Sequence, residues 1–259
     1  MVKGLYTAYT GMIQQEHRMD VLTNNLANAD TNGYKKEGAT AQSFDAMLAF
    51  KIKDASEGYR TAKRLGYNNP GVKIGEGYTD FSQGPLKETG NTFDLALTDK
   101  GFFAIEYTNK QGETSIKYTR DGDFTLTADG NLVTRDGDKV LNPDGKPVKI
   151  NTNVADTQIN ISGQIIQNGK VVDSIQVADF EDYNYLKHYG ENFYEPVDGA
   201  EFKEPAASIY AGFLETSNIS VVSEMVDMIT LSRAYESNQK VITTIDGTLE
   251  IAATQVGRV

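Results

Sequence analysis

The chain has 259 residues and a net charge of −11, with 36 Asp and Glu against 25 Lys and Arg. That length buries a real core in one or two domains, and the acidic balance argues against nucleic acid, which wants a basic face. The absence of Cys removes disulfides, thiolate metal sites and Cys nucleophiles together, and the absence of a long apolar run argues against membrane insertion.

Leu5, Met12, Met19 and Leu26 recur every seven residues, with Ala8, Gln15 and Leu22 as a companion row. The spacing predicts a helix over residues 4–29 with a narrow apolar seam. It ends in an Asn-rich run, Asn24, Asn25, Asn28 and Asn32, then Gly33. Asn is mediocre inside helices because its amide competes for backbone hydrogen bonds. The run is expected to make fixed contacts with backbone, and Gly33 suits a left-handed turn. Residues 39–58 hold Phe44, Met47, Leu48, Phe50 and Ile52 in a partly helical or extended pattern. Residues 57–80, rich in Gly and Tyr from Gly58 and Tyr59 to Tyr78, read as loop or irregular strand.

From residue 81 to 212 the texture is β. Short apolar runs such as Phe102–Tyr107, Ser115–Thr119 and Val171–Val177 alternate with turn pairs at Asp121-Gly122, Asp129-Gly130, Asp136-Gly137, Asp144-Gly145, Asn168-Gly169 and Asp198-Gly199. Such pairs tolerate the positive φ of tight hairpins. The expected core draws on Phe102, Ile105, Phe124, Leu126, Leu132, Val133, Ile166, Val172, Ile175 and Phe180.

The last forty residues repeat the heptad. Val221, Met228, Tyr235, Ile242, Leu249 and Val256 form one row; Glu224, Leu231, Asn238, Ile245, Ala252 and Val259 form the other. Thr216, Ser217 and Asn218 offer N-cap oxygens. The seam predicts a long helix of roughly 50–55 Å, suited to a coiled-coil partner. The helix at the other chain end is the simplest partner, in either direction. The fold class is therefore α+β: terminal helices pairing as a coiled-coil-like stem around an antiparallel β-rich middle domain. The divisions are 1–38 for the N-terminal helix and Asn-rich turn, 39–80 for an irregular connection, 81–214 for the β domain and 215–259 for the C-terminal helix. Charge follows the same division: residues 1–40 are neutral, 216–259 carry −2, and the middle holds the remaining −9. Near-neutral ends suit crowding in a polymer core, with the acidic middle solvated outside.

Several motifs carry a resemblance. Asn24-Asn25-Leu26-Ala27-Asn28 and Thr31-Asn32-Gly33-Tyr34-Lys35 stand at the start. Gly84-Pro85-Leu86, Thr92 to Leu97, Gly101-Phe102-Phe103 and Tyr118-Thr119-Arg120-Asp121-Gly122 stand in the middle. Glu215-Thr216-Ser217-Asn218, Met225 to Ile229 and Arg233-Ala234-Tyr235-Glu236 stand near the end. Together, and in this order, they resemble the bacterial flagellar rod and hook proteins across nearly the whole chain. Length and the Glu-Thr-Ser-Asn motif look most like the distal rod subunits, with the proximal rod subunits the close alternative. The resemblance implies a structural protein without catalysis or cofactor, polymerising with itself and with other rod and hook subunits in the basal body. It also implies delivery by the type III export apparatus without a cleaved signal; the sequence has no basic stretch followed by an apolar run and cleavage site at its start. By the same resemblance, a segment within 57–80 stiffens packing between subunits.

The expected assembly interface comprises Leu5, Met12, Met19, Leu22, Asn24, Asn25, Leu26, Asn28 and Gly33. At the other end it comprises Val221, Met225, Met228, Leu231, Tyr235, Ile242, Ile245 and Leu249. A heterologous contact between copies that does not close generates a helical filament. Chemistry has little to work with. His17 and His188 are the only His residues, and Asp121-Gly122-Asp123 and Asp136-Gly137-Asp138 lack the full spacing of a calcium loop. The competing reading from another class is a secreted β-domain adhesin or cell-wall-active protein, which hydrolysis of cell-wall glycan would favour.

Overall fold

The structure is a computed structural model; it describes residues 2–45, 47–51, 63–152, 154, 157–190 and 192–256. Ile52, Gly58, Tyr59 and Val259, named above, lie outside the described residues. The architecture is α+β: an N-terminal helix, a β-rich middle and a C-terminal helix. It divides into two compact units, one of residues 1–26, 37–79 and 221–259, the other of residues 27–36 and 80–220.

The first unit contains helix α1, Val2–Ala27, and helix α2, Val221–Ile251, the latter continued by a wider π-type turn, Ala252–Val256. Three observations give the direction of the pair. A Cβ on Gly4 would stand 3.7 Å from Ile245 Cδ1, a Cβ on Gly11 3.1 Å from Asn238 Nδ2, and Asn25 Nδ2 lies 3.4 Å from Glu224 Oε2. As one number rises the other falls by the same step, so the helices run antiparallel. The inward positions keep heptad spacing: Leu5, Ala8, Met12, Gln15, Met19, Leu22 and Leu26 on α1, and Glu224, Met228, Leu231, Tyr235, Asn238, Ile242 and Ile245 on α2, are buried or half-buried.

The described residues between 37 and 79 form two antiparallel strand pairs. Strand Glu37–Ser43 pairs antiparallel with Val72–Thr79, and Met47–Lys51 with Lys63–Asn68. The glycines here serve close packing as well as turning. A Cβ on Gly38 would fall 2.3 Å from the Tyr78 ring and one on Gly75 2.4 Å from Thr40 Oγ1. The ribbon rests on α1, where Thr7 Oγ1 donates to Pro70 O at 3.2 Å and Gln14 Nε2 to Thr40 O at 3.4 Å.

The second unit is built on an antiparallel sheet. In spatial order its strands are Leu186–Tyr189, Phe193–Pro196, Thr114–Thr119, Phe102–Thr108, Lys139–Val140, Leu132–Val133 and Thr125–Leu126. Strand Val177–Phe180 also pairs with Phe102–Thr108. Successive side chains on a strand point to opposite faces, and Phe102–Thr108 begins buried on both. Phe103 packs with Leu95, Phe124, Leu132 and Ile165 in one cluster, and Phe102 with Tyr118, Phe180 and Tyr194 in another. The Asn168-Gly169 hairpin has φ of 50° and 73°, as the turn pair predicts. Two expected core positions differ. Val172 is exposed and Ile166 only half-buried, while Ile165 is fully buried. Strand Gln164–Gln167 alternates regularly, with Ile165 and Gln167 buried and Ile166 on the opposite face, and on the partner strand Val172 is the extra residue left over where the register passes from Ile165–Asp173 to Ile166–Val171.

Candidate functional site

The side chains that hold the second unit closed come from three distant parts of the chain. Glu215, at the end of strand Phe213–Glu215, has no exposed side-chain surface. Its Oε1 accepts from Lys35 Nζ at 2.6 Å and from Gly84 N at 2.9 Å, and its Oε2 from Arg120 Nε at 2.5 Å. Both cations also donate to backbone carbonyls. Lys35 Nζ donates to Ser82 O at 2.7 Å, Arg120 Nη1 to Gly101 O at 2.5 Å, and Arg120 Nη2 to the carbonyls of Leu97 and Asp99. Asp99 adopts a left-handed φ of 66° where it presents that carbonyl. Two cations thus share one carboxylate in a dry site. Burial pulls the Lys35 ammonium below its ordinary range, while the adjacent Glu215 carboxylate acts the other way.

Backbone contacts complete the clasp. Gly33 N donates to Glu215 O at 2.7 Å. Its φ is +69°, and a Cβ there would stand 2.5 Å from Asp121 N, so conformation and space both require glycine. Asn218 Oδ1 accepts from Lys36 N at 2.8 Å, and its Nδ2 donates to Asp80 O at 2.8 Å and Ser82 O at 3.2 Å. Asn218 is therefore occupied by two other segments, at Lys36 and at Asp80 and Ser82, and lies three residues before α2, which begins at Val221. Asn192 Nδ2 adds a bond to Asn32 O at 2.7 Å.

In the first unit, fully buried Asn25 performs the backbone role expected of the Asn-rich run. Its Nδ2 donates to Glu37 O at 2.8 Å and its Oδ1 accepts from Glu37 N at 3.0 Å, so one amide holds both backbone groups of residue 37. Asn28 Oδ1 lies 3.2 Å from Thr31 Oγ1, and Asn24 is exposed. The other expected interface residues fall into two sets. Leu5, Met12, Met19, Leu22, Leu26, Met228, Leu231, Tyr235, Ile242 and Ile245 are buried or half-buried within the unit, while Val221, Met225 and Leu249 are exposed. Sequence reasoning missed Lys35, Arg120, Glu215 and Asn218 as structural elements, although all four stood inside the motifs that carried the resemblance.

Elsewhere in the second unit, burial pushes the Asp121 carboxyl up to about 6, helped by neighbouring Asp123 and opposed by the hydrogen bond from Asp123 N and by Arg135. Arg135 pairs with Asp123. Among the described residues no His, Cys, Asp and Glu cluster is arranged to hold a metal ion, and no helix is long and apolar enough to cross a membrane.

The geometry is that of a β unit held closed by buried ion pairs between its distant segments, joined in sequence to a helical unit. Comparison with known families makes the class specific. The family described as flagella basal body rod protein matches residues 5–35, the flagellar hook protein FlgE/F/G D1 domain matches 96–167, and the flagellar basal body rod FlgEFG protein C-terminal matches 210–255. Each matched segment contributes one member of the buried ion cluster: Lys35, Arg120 and Glu215. The chain is 32% identical to the flagellar hook-basal body complex protein FlhO of Bacillus subtilis, over 100% of both chains. It is 34% identical to the flagellar basal-body rod protein FlgG of Agrobacterium fabrum, covering 95% of this chain and 96% of that one. It is 30% identical to the flagellar basal-body rod protein FlgF of Caulobacter vibrioides, covering 100% and 98%. This chain belongs to the flagellar basal-body rod and hook protein family. It is a structural subunit of the flagellar rod and hook–basal body, not an enzyme.

Proposed function

We propose that the chain is a rod subunit of the distal type. It polymerises with copies of itself, and with other rod and hook subunits, into a tubular shaft. Its terminal helices form a coiled-coil-like stem through which the copies associate. The observation that carries this reading is the make-up of the two helices. Among the described residues of the two helices the buried ones are Ala8, Thr10, Gln14, Asn25, Glu224 and Leu231, two of them apolar, while Val222, Met225, Val226 and Ile229 are 48–73% exposed. A helix pair gains most of its stability from packing an apolar face, and this one leaves much of its apolar surface to be covered by something else. Chain length and the Glu215-Thr216-Ser217-Asn218 motif favour the distal over the proximal type. A chain without Cys suits type III export in an unfolded state, since nothing cross-links in transit.

Sedimentation velocity and electron microscopy of the purified full chain at rising concentration test the assembly. Tubular polymers are expected, and a protein that stays monomeric at millimolar concentration contradicts the reading. Labelling the subunit in isolated basal bodies separates distal from proximal: signal at the hook end supports the distal type, and signal at the membrane end overturns it.

A further inference from the structure

The inward heptad positions of α1 and α2 are used within one chain, yet each helix carries a second stripe facing out. On α1, Tyr6, Tyr9 and Ile13 are 52%, 53% and 37% exposed, and the same face continues as Glu16 and Asp20. On α2 the stripe is Val222, Met225, Val226 and Ile229. Both stripes have the three- and four-residue steps of one helix face. Because the helices are antiparallel, the stripes lie at opposite ends of the pair. By the register of Gly11 with Asn238, Tyr9 stands level with Lys240, about 14 residues from Val226, or about 21 Å along the axis.

We propose that the Tyr6–Tyr9–Ile13 stripe of one copy docks on the Val222–Val226–Ile229 stripe of the next. The proposal rests on the self-assembly reading above and specifies its contact. Copies that share one polarity bring α1 and α2 together antiparallel. Tyr6 then meets Ile229, Tyr9 meets Val226 and Ile13 meets Val222. In that register Glu16 comes to the amino end of α2, where the helix dipole favours negative charge. The alternative, a two-fold contact of α1 with α1, leaves the α2 stripe bare. The α1-on-α2 contact covers both stripes with one repeated interface, and it is heterologous, so it propagates instead of closing. It staggers neighbouring copies by about 21 Å, the offset between the stripes.

The Cys-free background makes the contact measurable by disulfide trapping. Full-length Tyr9→Cys and Val226→Cys variants are polymerised separately and as an equal mixture, then oxidised and run on a denaturing gel. The expected result is a covalent dimer, twice the 28.4 kDa chain, in the mixture and in neither variant alone. Dimer in Tyr9→Cys alone establishes the two-fold contact and overturns the proposal. Polymer with no trapped dimer also overturns it, while self-assembly stands. Failure of wild-type chain to polymerise at all removes the proposal together with the reading beneath it.

Discussion

Replacing Glu215 by Gln keeps the shape of the clasp and removes its only carboxylate. The amide of the Glu215→Gln variant still offers one oxygen to Gly84 N, but Lys35 and Arg120 lose the charge that faces them at 2.6 and 2.5 Å. Breaking a buried ion pair from one side costs about 3–5 kcal/mol, because the abandoned charge stays desolvated. Here two cations are abandoned, so the cost belongs at about 4–5 kcal/mol. With about 2–4 °C of melting temperature per kcal/mol for a unit of this size, the β unit should melt about 8–20 °C lower. Lys35→Met is the informative control. It removes the excess cation, leaves Arg120 paired with Glu215, and forfeits the bond to Ser82 O, for about 1–2 kcal/mol. Differential scanning calorimetry and urea titration of both variants read the difference. Equal losses in the two, or a loss below about 1 kcal/mol for Glu215→Gln, would refute the claim that one buried carboxylate closes the unit.

Other substitutions probe neighbouring steps of the reasoning. Asp121 has a folded-state value of about 6 against an ordinary 3.8, so between those pH values the folded chain holds a proton that the unfolded chain has lost. Stability should therefore fall as pH rises through this window, by about 1–3 kcal/mol. Asp121→Asn should flatten that slope and raise the urea midpoint at a pH of about 7.5, above the folded-state value; an unchanged slope contradicts the assignment. Gly122→Ala would place a Cβ 1.7 Å from Leu95 O, a backbone atom, and should cost more than about 3 kcal/mol by thermal melting, whereas Gly137→Ala, with open space but a φ of +94°, should cost about 1–2 kcal/mol. Leu231→Asp puts a carboxylate at a position 5% exposed, at a cost of several kcal/mol, about 3 or more. It should abolish polymer by sedimentation while the β unit keeps its melting temperature.

What the sequence reveals depends on how local each signal is. Heptad rows and Asp-Gly or Asn-Gly pairs act over a few residues, and they locate both helices and most of the hairpins. The clasp has no local signal. Lys35 and Glu215 are 180 positions apart, and each alone looks like an ordinary surface charge. Only their presence in family motifs marks them, without saying why. Asn218 misleads for a related reason, since a side chain suited to capping is engaged by Lys36, Asp80 and Ser82 instead. The Gly-rich stretch before residue 80 suggests loop or irregular strand, because sequence does not distinguish a glycine needed for φ from one needed for closeness. Gly38 and Gly75 include the second kind. Alternation alone does not say which of two adjacent isoleucines faces in, and Ile165, not Ile166, is buried; Val172 is the extra residue of a register shift on the partner strand, which has no local signal.

The central claim is that the helical unit becomes complete only among copies, and amide hydrogen exchange on monomer and polymer of the same protein tests it most directly. In the monomer, α1 and α2 should exchange fast while the strand Phe102–Thr108 is strongly protected. In the polymer both helices should become protected to a similar degree. Helices already fully protected in a verified monomer, or unprotected in the polymer, would contradict the account.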